Sequence, residues 1–408
     1  MTTKYAKPWL TPFFICNQEE IMPREYCIAN ARMVTADAVI EGHLCVRDGR
    51  IHALEAGAPP ISRGVAVEDW GGDYLLPGLV ELHTDNLEKH LMPRPKVIWP
   101  SARAAFLAHD AQMAAAGITT VYDSVCIGET QDKGRYLMLR MAVDAFTACT
   151  SGNPADTGVR TEHRLHLRCE LNDPNMWSMF EPLSATPGLG LISLMDHTPG
   201  QRQWRNTDAY RTYYSTIRSW TEEEFASNVA ELQERQRTYT PLHTGMVTEF
   251  CTAHGVPMAS HDDTTVEDVN LALGHGIVIS EFPTTIEAAR HARNNGMTVL
   301  MGSPNVVRGK SHSGNISALD VAREGLLSGL SSDYVPMSLL HGAFVLQREA
   351  GLSLPDAVSM VTRRPAQAVA LTDRGELRPG LRADLVRVAL HDDLPVAREV
   401  YVRGKKVF

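Results

Sequence analysis

Between residues 79 and 332, short apolar runs alternate with longer stretches in which apolar and polar positions repeat at helical spacing. The runs are LVELH (79–83), ITTVYD (118–123), LHLRCEL (165–171), LGLISLMD (189–196), VPMAS (256–260), IVISE (277–281), TVLMG (298–302) and LLSGLSS (326–332). Continuous apolar runs of this length predict strands buried on both faces. Among the stretches between them, SARAAFLAHDAQMAAAG predicts a helix with Ser101 as N-cap and Gly117 closing its C-terminus, and TEEEFASNVAELQERQRTYT predicts another. Strands and helices alternating in this way predict an α/β protein built on a (β/α)8 TIM-like barrel. The alternative is a doubly wound sheet, which calls for a glycine-rich dinucleotide turn after an early strand; none is present.

The two ends of the chain are patterned differently. YCIANARMVT, AVIEGHLCVRDGRIHALE and VAVEDWGGDYLLPG fill residues 24–76 with short strand-like runs. The pair Asp48-Gly49 between two of them predicts a hairpin. GELRPGLRADLVRVAL and REVYVRGKKVF repeat the style at the C-terminus, with glycine at the turns. We therefore expect residues 23–77 and 375–408 to join in one small β domain, with 78–374 forming the barrel. Residues 1–22, which carry Pro8 and Pro12 and are followed by Pro23, read as an N-terminal extension, a surface arm.

Composition adds bounds. The chain has 408 residues, 44% hydrophobic and 21% charged, the balance of a soluble globular protein. No apolar run approaches the roughly 18–20 residues that span a bilayer. The start, MTTKYAKPWLTPFFICNQEE, lacks the layout of a secretory signal, so a cytoplasmic protein with no membrane partner is expected. The seven cysteines are scattered and never spaced as CxxC, which predicts thiols, mostly small buried hydrophobes, in place of a disulfide framework or zinc knuckle. A net charge of −9 gives no global basic field for nucleic acid, while local arginines and lysines can still hold an anionic small molecule. Sixteen histidines direct attention to metal ligation.

In a barrel, chemistry collects where strands end. The first run ends in His83 and Asp85, with Asn86 and His90 behind; the third contains Glu170; the fourth ends in Asp196-His197. The fifth is followed by His261-Asp262-Asp263, the sixth ends in Glu281, and the last leads to Asp333. Any one histidine here suits a hydrogen-bonded structural role, and Asp123 and Asp263 suit helix N-caps. So many such residues at carboxyl ends favour a metal centre. Imidazole and carboxylate suit Zn²⁺, Mn²⁺ or Fe²⁺, and a shared carboxylate can bridge two ions. Basic side chains sit in the loops that follow strands: Lys89 and Arg94, Arg202 and Arg205, then Arg308 and Lys310 with His312, Ser313 and Asn315. RGKSHSG lacks the spacing of a Walker A loop.

PGLVELHTD, a later Glu, His and His, and a final SSD resemble the amidohydrolase superfamily. ELHTDNLEKHLMPRP, SHDDTT, SEFPTT, MGSPNVVRGKSHSGNISA and SSDYVP together look like its PhnM family. The resemblance spans roughly residues 24–400 and leaves the N-terminal arm uncovered. It implies a metal-dependent barrel with a small β-sandwich built from both chain ends. It also implies hydrolysis of α-D-ribose 1-methylphosphonate 5-triphosphate to the 5-phosphate and pyrophosphate. Where most superfamily members carry His-x-His, this chain has His83 and Asp85, and Lys310 replaces an expected small residue. Carried over by residue, His83 and Asp85 hold one ion, Glu170 bridges two, His197 and His261 hold the second, and Asp333 handles the proton. Glu281 is the reserve ligand in place of His197. His90, Arg94, Arg202, Arg205, Arg308, Lys310, His312 and Asn315 are the expected substrate contacts, and a homodimer is possible. The same fold also serves cyclic amide hydrolases, deaminases and other phosphate-ester hydrolases; a non-catalytic relative would have lost ligands, and none of the six is missing.

Overall fold

The computed structural model describes residues 25–60, 64–128, 133–215, 219–311 and 314–408. The N-terminal arm expected at residues 1–22, and with it Cys16, lies outside the described residues. Eight parallel strands form the barrel in sequence order: Leu79–Thr84, Ile118–Ile127, Glu162–Glu170, Leu189–Met195, Met258–His261, Ile279–Glu281, Thr298–Gly302 and Gly329–Ser331. Each falls on one of the eight apolar runs. The ring closes at its carboxyl end, where Asp333 N donates to His83 O and Asp85 N donates to Asp333 O, both at 3.0 Å.

Polarity changes along the barrel axis. At the amino end Val80, Leu82, Tyr122, Leu191, Ala259, Ile279 and Leu300 pack against Ala366, Val369 and Leu371, an apolar floor. Above it the interior turns polar, beginning with Ser124, His166 and Ser193. Outside the strands a larger core packs them against the helices, with Phe106, Phe146, Phe180 and Val247 among its buried members.

The predicted helices form with their signals in place. Helix Ala102–Ala115 begins where Ser101 Oγ accepts from Ala104 N at 3.3 Å and is followed by Gly117 at φ +84°. Helix Glu222–His254 starts from a capping box between Thr221 and Glu224 and continues well past Thr240, with Pro241 inside it. The part beyond the proline is held from the side: His243, Val247 and Cys251 are buried, and His243 Nδ1 donates to Leu171 O at 2.9 Å.

The chain ends meet in a separate sheet of eight strands. Tyr74–Pro77, from the N-terminal part, runs antiparallel to Leu385–His391 from the C-terminal part, with Leu76 opposite Val386. The hairpin expected at Asp48-Gly49 is present: Arg47 pairs with Arg50, and both turn residues take positive φ (49° and 74°). Passage from sheet to barrel goes through Gly78, where a Cβ would sit 2.2 Å from Thr119 Oγ1. At the seam Glu162 receives Arg374, Arg382 and Arg403. One expectation fails here. Cys27 and Cys45 lie opposite each other in register across antiparallel strands and form a disulfide. Sequence spacing does not reveal that pairing, because it depends on the register between two strands.

Candidate metal centre and substrate cavity

Three strand ends turn in the same unusual way. Asp262, Phe282 and Asp333, each just past a barrel strand, have φ of 57°, 55° and 53°. A left-handed conformation at a residue other than glycine costs about 1–3 kcal/mol and is kept where surrounding structure fixes it. Here the fixing is visible: Asp262 N donates to Glu281 O (2.9 Å), Phe282 N to Leu300 O (2.8 Å), and Asp333 N to His83 O. These turns place Asp262 and Asp333 on the wall of a cavity of about 320 Å³ at the carboxyl end of the barrel. His83, Asp85, His197 and His261 line the same cavity.

The three imidazoles are oriented from behind by carboxylates. Glu281, fully buried, accepts from His83 Nδ1 through one oxygen and from His261 Nδ1 through the other, both at 2.8 Å. Glu170 accepts from His197 Nδ1 at 2.6 Å and from His197 N at 2.9 Å. With Nδ1 donating in each ring, Nε2 keeps its lone pair, the arrangement that suits metal ligation. Burial acts to raise the Glu281 carboxyl, yet the facing imidazoles and their hydrogen bonds hold it well below the usual carboxylate range. Beneath it His166 contacts Ser193 Oγ at 2.6 Å, and Ser193 donates to Glu281 at 3.0 Å. Burial brings His166 down to about 3, so this polar layer rests on a neutral ring.

Two trios of donors result: His83, Asp85 and Asp333, and His197, His261 and Asp262, with the ligand atoms of each within 4.8 Å of one another. Asp262 Oδ2 lies 3.7 Å from His197 Nε2 and 3.6 Å from His261 Nε2. Donors about 2.0–2.1 Å from a tetrahedral ion stand roughly 3.4 Å apart, so this trio fits a small divalent cation after a slight contraction. In the other trio Asp85 Oδ1 is 3.7 Å from His83 Nε2 and also accepts from Arg168 Nη1 at 2.7 Å. Burial works against the Arg168 charge, and Asp85 outweighs it, so the guanidinium stays protonated.

The expected site residues divide. His83, Asp85, His197, His261, Asp333, Arg308 and Asn315 all line the cavity. Glu170 is not on the cavity wall: it accepts from His197 N and Nδ1, behind that ring. Arg202 pairs with Asp263 at 2.9 Å and lies near Asp268, so its charge is spent within the scaffold. His90 contacts Gln112 Oε1 at 3.0 Å, while Arg94, Arg205 and Lys310 are exposed and absent from the cavity wall. His312 and Ser313 lie outside the described residues. Asp123 and Asp263 are not helix caps. Asp123 binds His109 and His163, and Asp263 accepts from Ser260 and Ser280. Asp262, Arg168 and an aromatic wall of Trp204, Tyr213 and Tyr214 were not anticipated as site residues. The period of two offered one signal, since His166, Arg168 and Glu170 share a side of one strand.

The amidohydrolase family profile matches residues 207–407. The chain is 44% identical over 385 residues to the alpha-D-ribose 1-methylphosphonate 5-triphosphate diphosphatase of Escherichia coli, covering 93% of this chain and all of that protein. A dihydroorotase of Methanopyrus kandleri is 33% identical over 117 residues, 24% of this chain and 27% of its own. Among solved structures, N-isopropylammelide isopropylaminohydrolase from Burkholderia multivorans superposes with a TM-score of 0.61 at 18% identity, covering 94% of this chain and 97% of its own. N-acetylglucosamine-6-phosphate deacetylase from Pasteurella multocida gives 0.57 at 12% identity, covering 94% and 99%. These two share the fold.

Proposed function

The chain belongs to the amidohydrolase superfamily, in the PhnM family, and we propose that it hydrolyses α-D-ribose 1-methylphosphonate 5-triphosphate to the 5-phosphate and pyrophosphate with the help of a divalent metal ion. The observation that carries the reading is the meeting of two histidine–carboxylate trios with Arg168 and Arg308 in one cavity. Near full-length similarity to the Escherichia coli diphosphatase supports the substrate.

In this reading His83, Asp85 and Asp333 offer one candidate ion position and His197, His261 and Asp262 another. Imidazole and carboxylate donors suit zinc, manganese or ferrous iron. A divalent cation held there would lower the pKa of water towards about 7 and offset charge on phosphoryl oxygens. The protein's own groups do the rest. Glu281 and Glu170 fix the histidine rings, so the donors are in place before substrate arrives. Asp333, held by backbone bonds to His83 and Asp85, takes the proton of the attacking water and returns it to the leaving group. The water oxygen bonds to phosphorus, the bond from phosphorus to the bridging oxygen breaks, and pyrophosphate departs with that electron pair. Arg308 and Asn315 hold the polyphosphate arm by charge-assisted and neutral hydrogen bonds.

The test is pyrophosphate release from ribose 1-methylphosphonate 5-triphosphate by metal-replete protein, set against chelator-treated protein. Metal-dependent release is expected. Metal-loaded protein that releases no pyrophosphate would overturn the substrate assignment and turn the search to cyclic amides and other phosphate esters.

A further inference from the structure

The two trios differ in the charge around them. At the first, Arg168 rises from the third barrel strand, lines the cavity and donates Nη1 to Asp85 Oδ1 at 2.7 Å, with its side chain only 14% exposed. Its Nε is buried and has no hydrogen-bond partner among the described residues; Asp85 is the carboxylate it pairs with directly, and Glu281 and Glu88 add negative charge nearby. Lys89 lies on the same side, with Nζ on the backbone carbonyl of Tyr334, next to Asp333. At the second trio, among the described residues, no lysine or arginine forms an ion pair with Asp262. Arg202 passes nearby, but its guanidinium is committed to Asp263 and to the carbonyl of His261.

A guanidinium does not shed its proton to make room for a metal ion. Nor is Arg168 free to swing away, being rooted in a barrel strand and largely enclosed. A divalent cation bound to Asp85 would then face a fixed positive charge across a few ångströms of poorly hydrated space, where repulsion is strong. Among the described residues, no arginine or lysine is paired with the carboxylate of the second trio. Glu281 backs His83 and His261 alike, and Glu170 adds a second negative charge behind His197 that the first trio lacks, which favours a cation at the second trio.

We infer that the resting centre holds one tightly bound divalent ion, at His197, His261 and Asp262, and that Arg168 supplies the second positive charge, at Asp85. The inference rests on the metal-dependent reading and narrows its two ion positions to one resident ion. Arg168 thereby presents a permanent cation to the phosphoryl group in the cavity.

Metal stoichiometry tests this without reference to turnover. Chelator-stripped full-length protein is titrated with Mn²⁺, following free and bound metal by equilibrium dialysis and the bound ion by electron paramagnetic resonance. The wild type is expected to bind one ion tightly, with an uncoupled Mn²⁺ spectrum and any second ion at least about 100-fold weaker. Arg168→Met, which removes the fixed charge beside Asp85, should strengthen that second ion by about tenfold or more. Asp85→Asn should still bind one ion tightly. Two ions of similar affinity in the wild type, with a spin-coupled spectrum, would overturn the inference alone, as would a fall from two to one in Asp85→Asn. No retained ion at all would overturn the metal-dependent reading itself. If Arg168→Met does not fold, the wild-type and Asp85→Asn titrations decide the matter.

Discussion

On the flank of the barrel, His109 from helix Ala102–Ala115, Asp123 from the second strand and His163 from the third come as close together as His197, His261 and Asp262 do at its mouth. At the flank every ring nitrogen is already used. His109 contacts Asp123 at 2.7 Å and Asn86 at 3.0 Å; His163 contacts Asp123 at 2.8 Å, Thr161 at 3.0 Å and Asp110 at 3.2 Å. All these side chains are buried, and none lines the cavity. At the mouth, a buried carboxylate takes Nδ1 of each ring and leaves Nε2 directed at the neighbouring ligand carboxylate. The difference between a structural network and a metal centre therefore lies in what the second ring nitrogen faces: a closed hydrogen-bond network at the flank, a cavity-lining carboxylate at the mouth. The count of histidines and acids is the same in both.

The sharpest way to break this contrast is at Asp333. Asp333→Asn keeps the side chain's size and removes its proton acceptor, so turnover should fall by about 10²–10⁴-fold while metal content stays near that of the wild type. Loss of the ion with turnover kept would invert the assignment. The matched change on the flank is Asp123→Ala. It strips two buried imidazoles of their shared partner and should destabilise the fold by about 3–5 kcal/mol in chemical denaturation. Metal affinity and turnover of the protein that remains folded should be unchanged. A specific loss of metal would show that the flank network belongs to the centre. Glu281→Gln tests the link between a buried carboxylate and the ligands it orients: divalent-ion affinity should drop by about 10–100-fold, since two rings lose their charged acceptor. An unchanged affinity would mean that the rings are fixed by packing alone.

The two regions also differ in how far the sequence revealed them. The barrel was legible because parallel strands buried on both faces read as unbroken apolar runs, and TVLMG coincides with Thr298–Gly302. The two-ended sheet was legible from its hairpin chemistry at Asp48-Gly49. At the site, the residues at strand ends were legible as a group, but their directions were not. Glu170 lies behind His197 and off the cavity wall, because a residue at a strand end can face inwards and still bond first to its neighbour. Arg202 was expected at a phosphate and neutralises Asp263, a pairing across 61 positions that no local pattern encodes. Arg168 is not legible in the sequence because a single arginine in an apolar strand has no spacing signature; its meaning comes from Asp85, on another strand's end. The Asp262 turn depends on a backbone bond to Glu281, formed only when the fifth and sixth strands lie side by side.

The smallest predicted effect is also the one most specific to the flank. Burial works against charge on His163, but Asp123 and Asp110, on its two ring nitrogens, outweigh it and raise the imidazolium to about 9. Unfolding returns that ring to its ordinary value near 6.5. A group whose folded pKa lies above its unfolded one contributes stability that is fully present below the unfolded value and is lost as pH rises through the folded one. The flank network should therefore support the fold fully at pH 6 and weaken between roughly pH 6.5 and 9, by an amount of the order of 3 kcal/mol. The check is the difference in unfolding free energy between wild type and His163→Gln, measured from pH 6 to pH 10. That difference should shrink as pH rises, because the wild type gradually loses what the variant never had. A difference that stays flat would mean that His163 is neutral in the fold and that Asp123 is balanced through His109 instead. Metal affinity should not follow this profile, since the mouth and the flank draw on separate carboxylates.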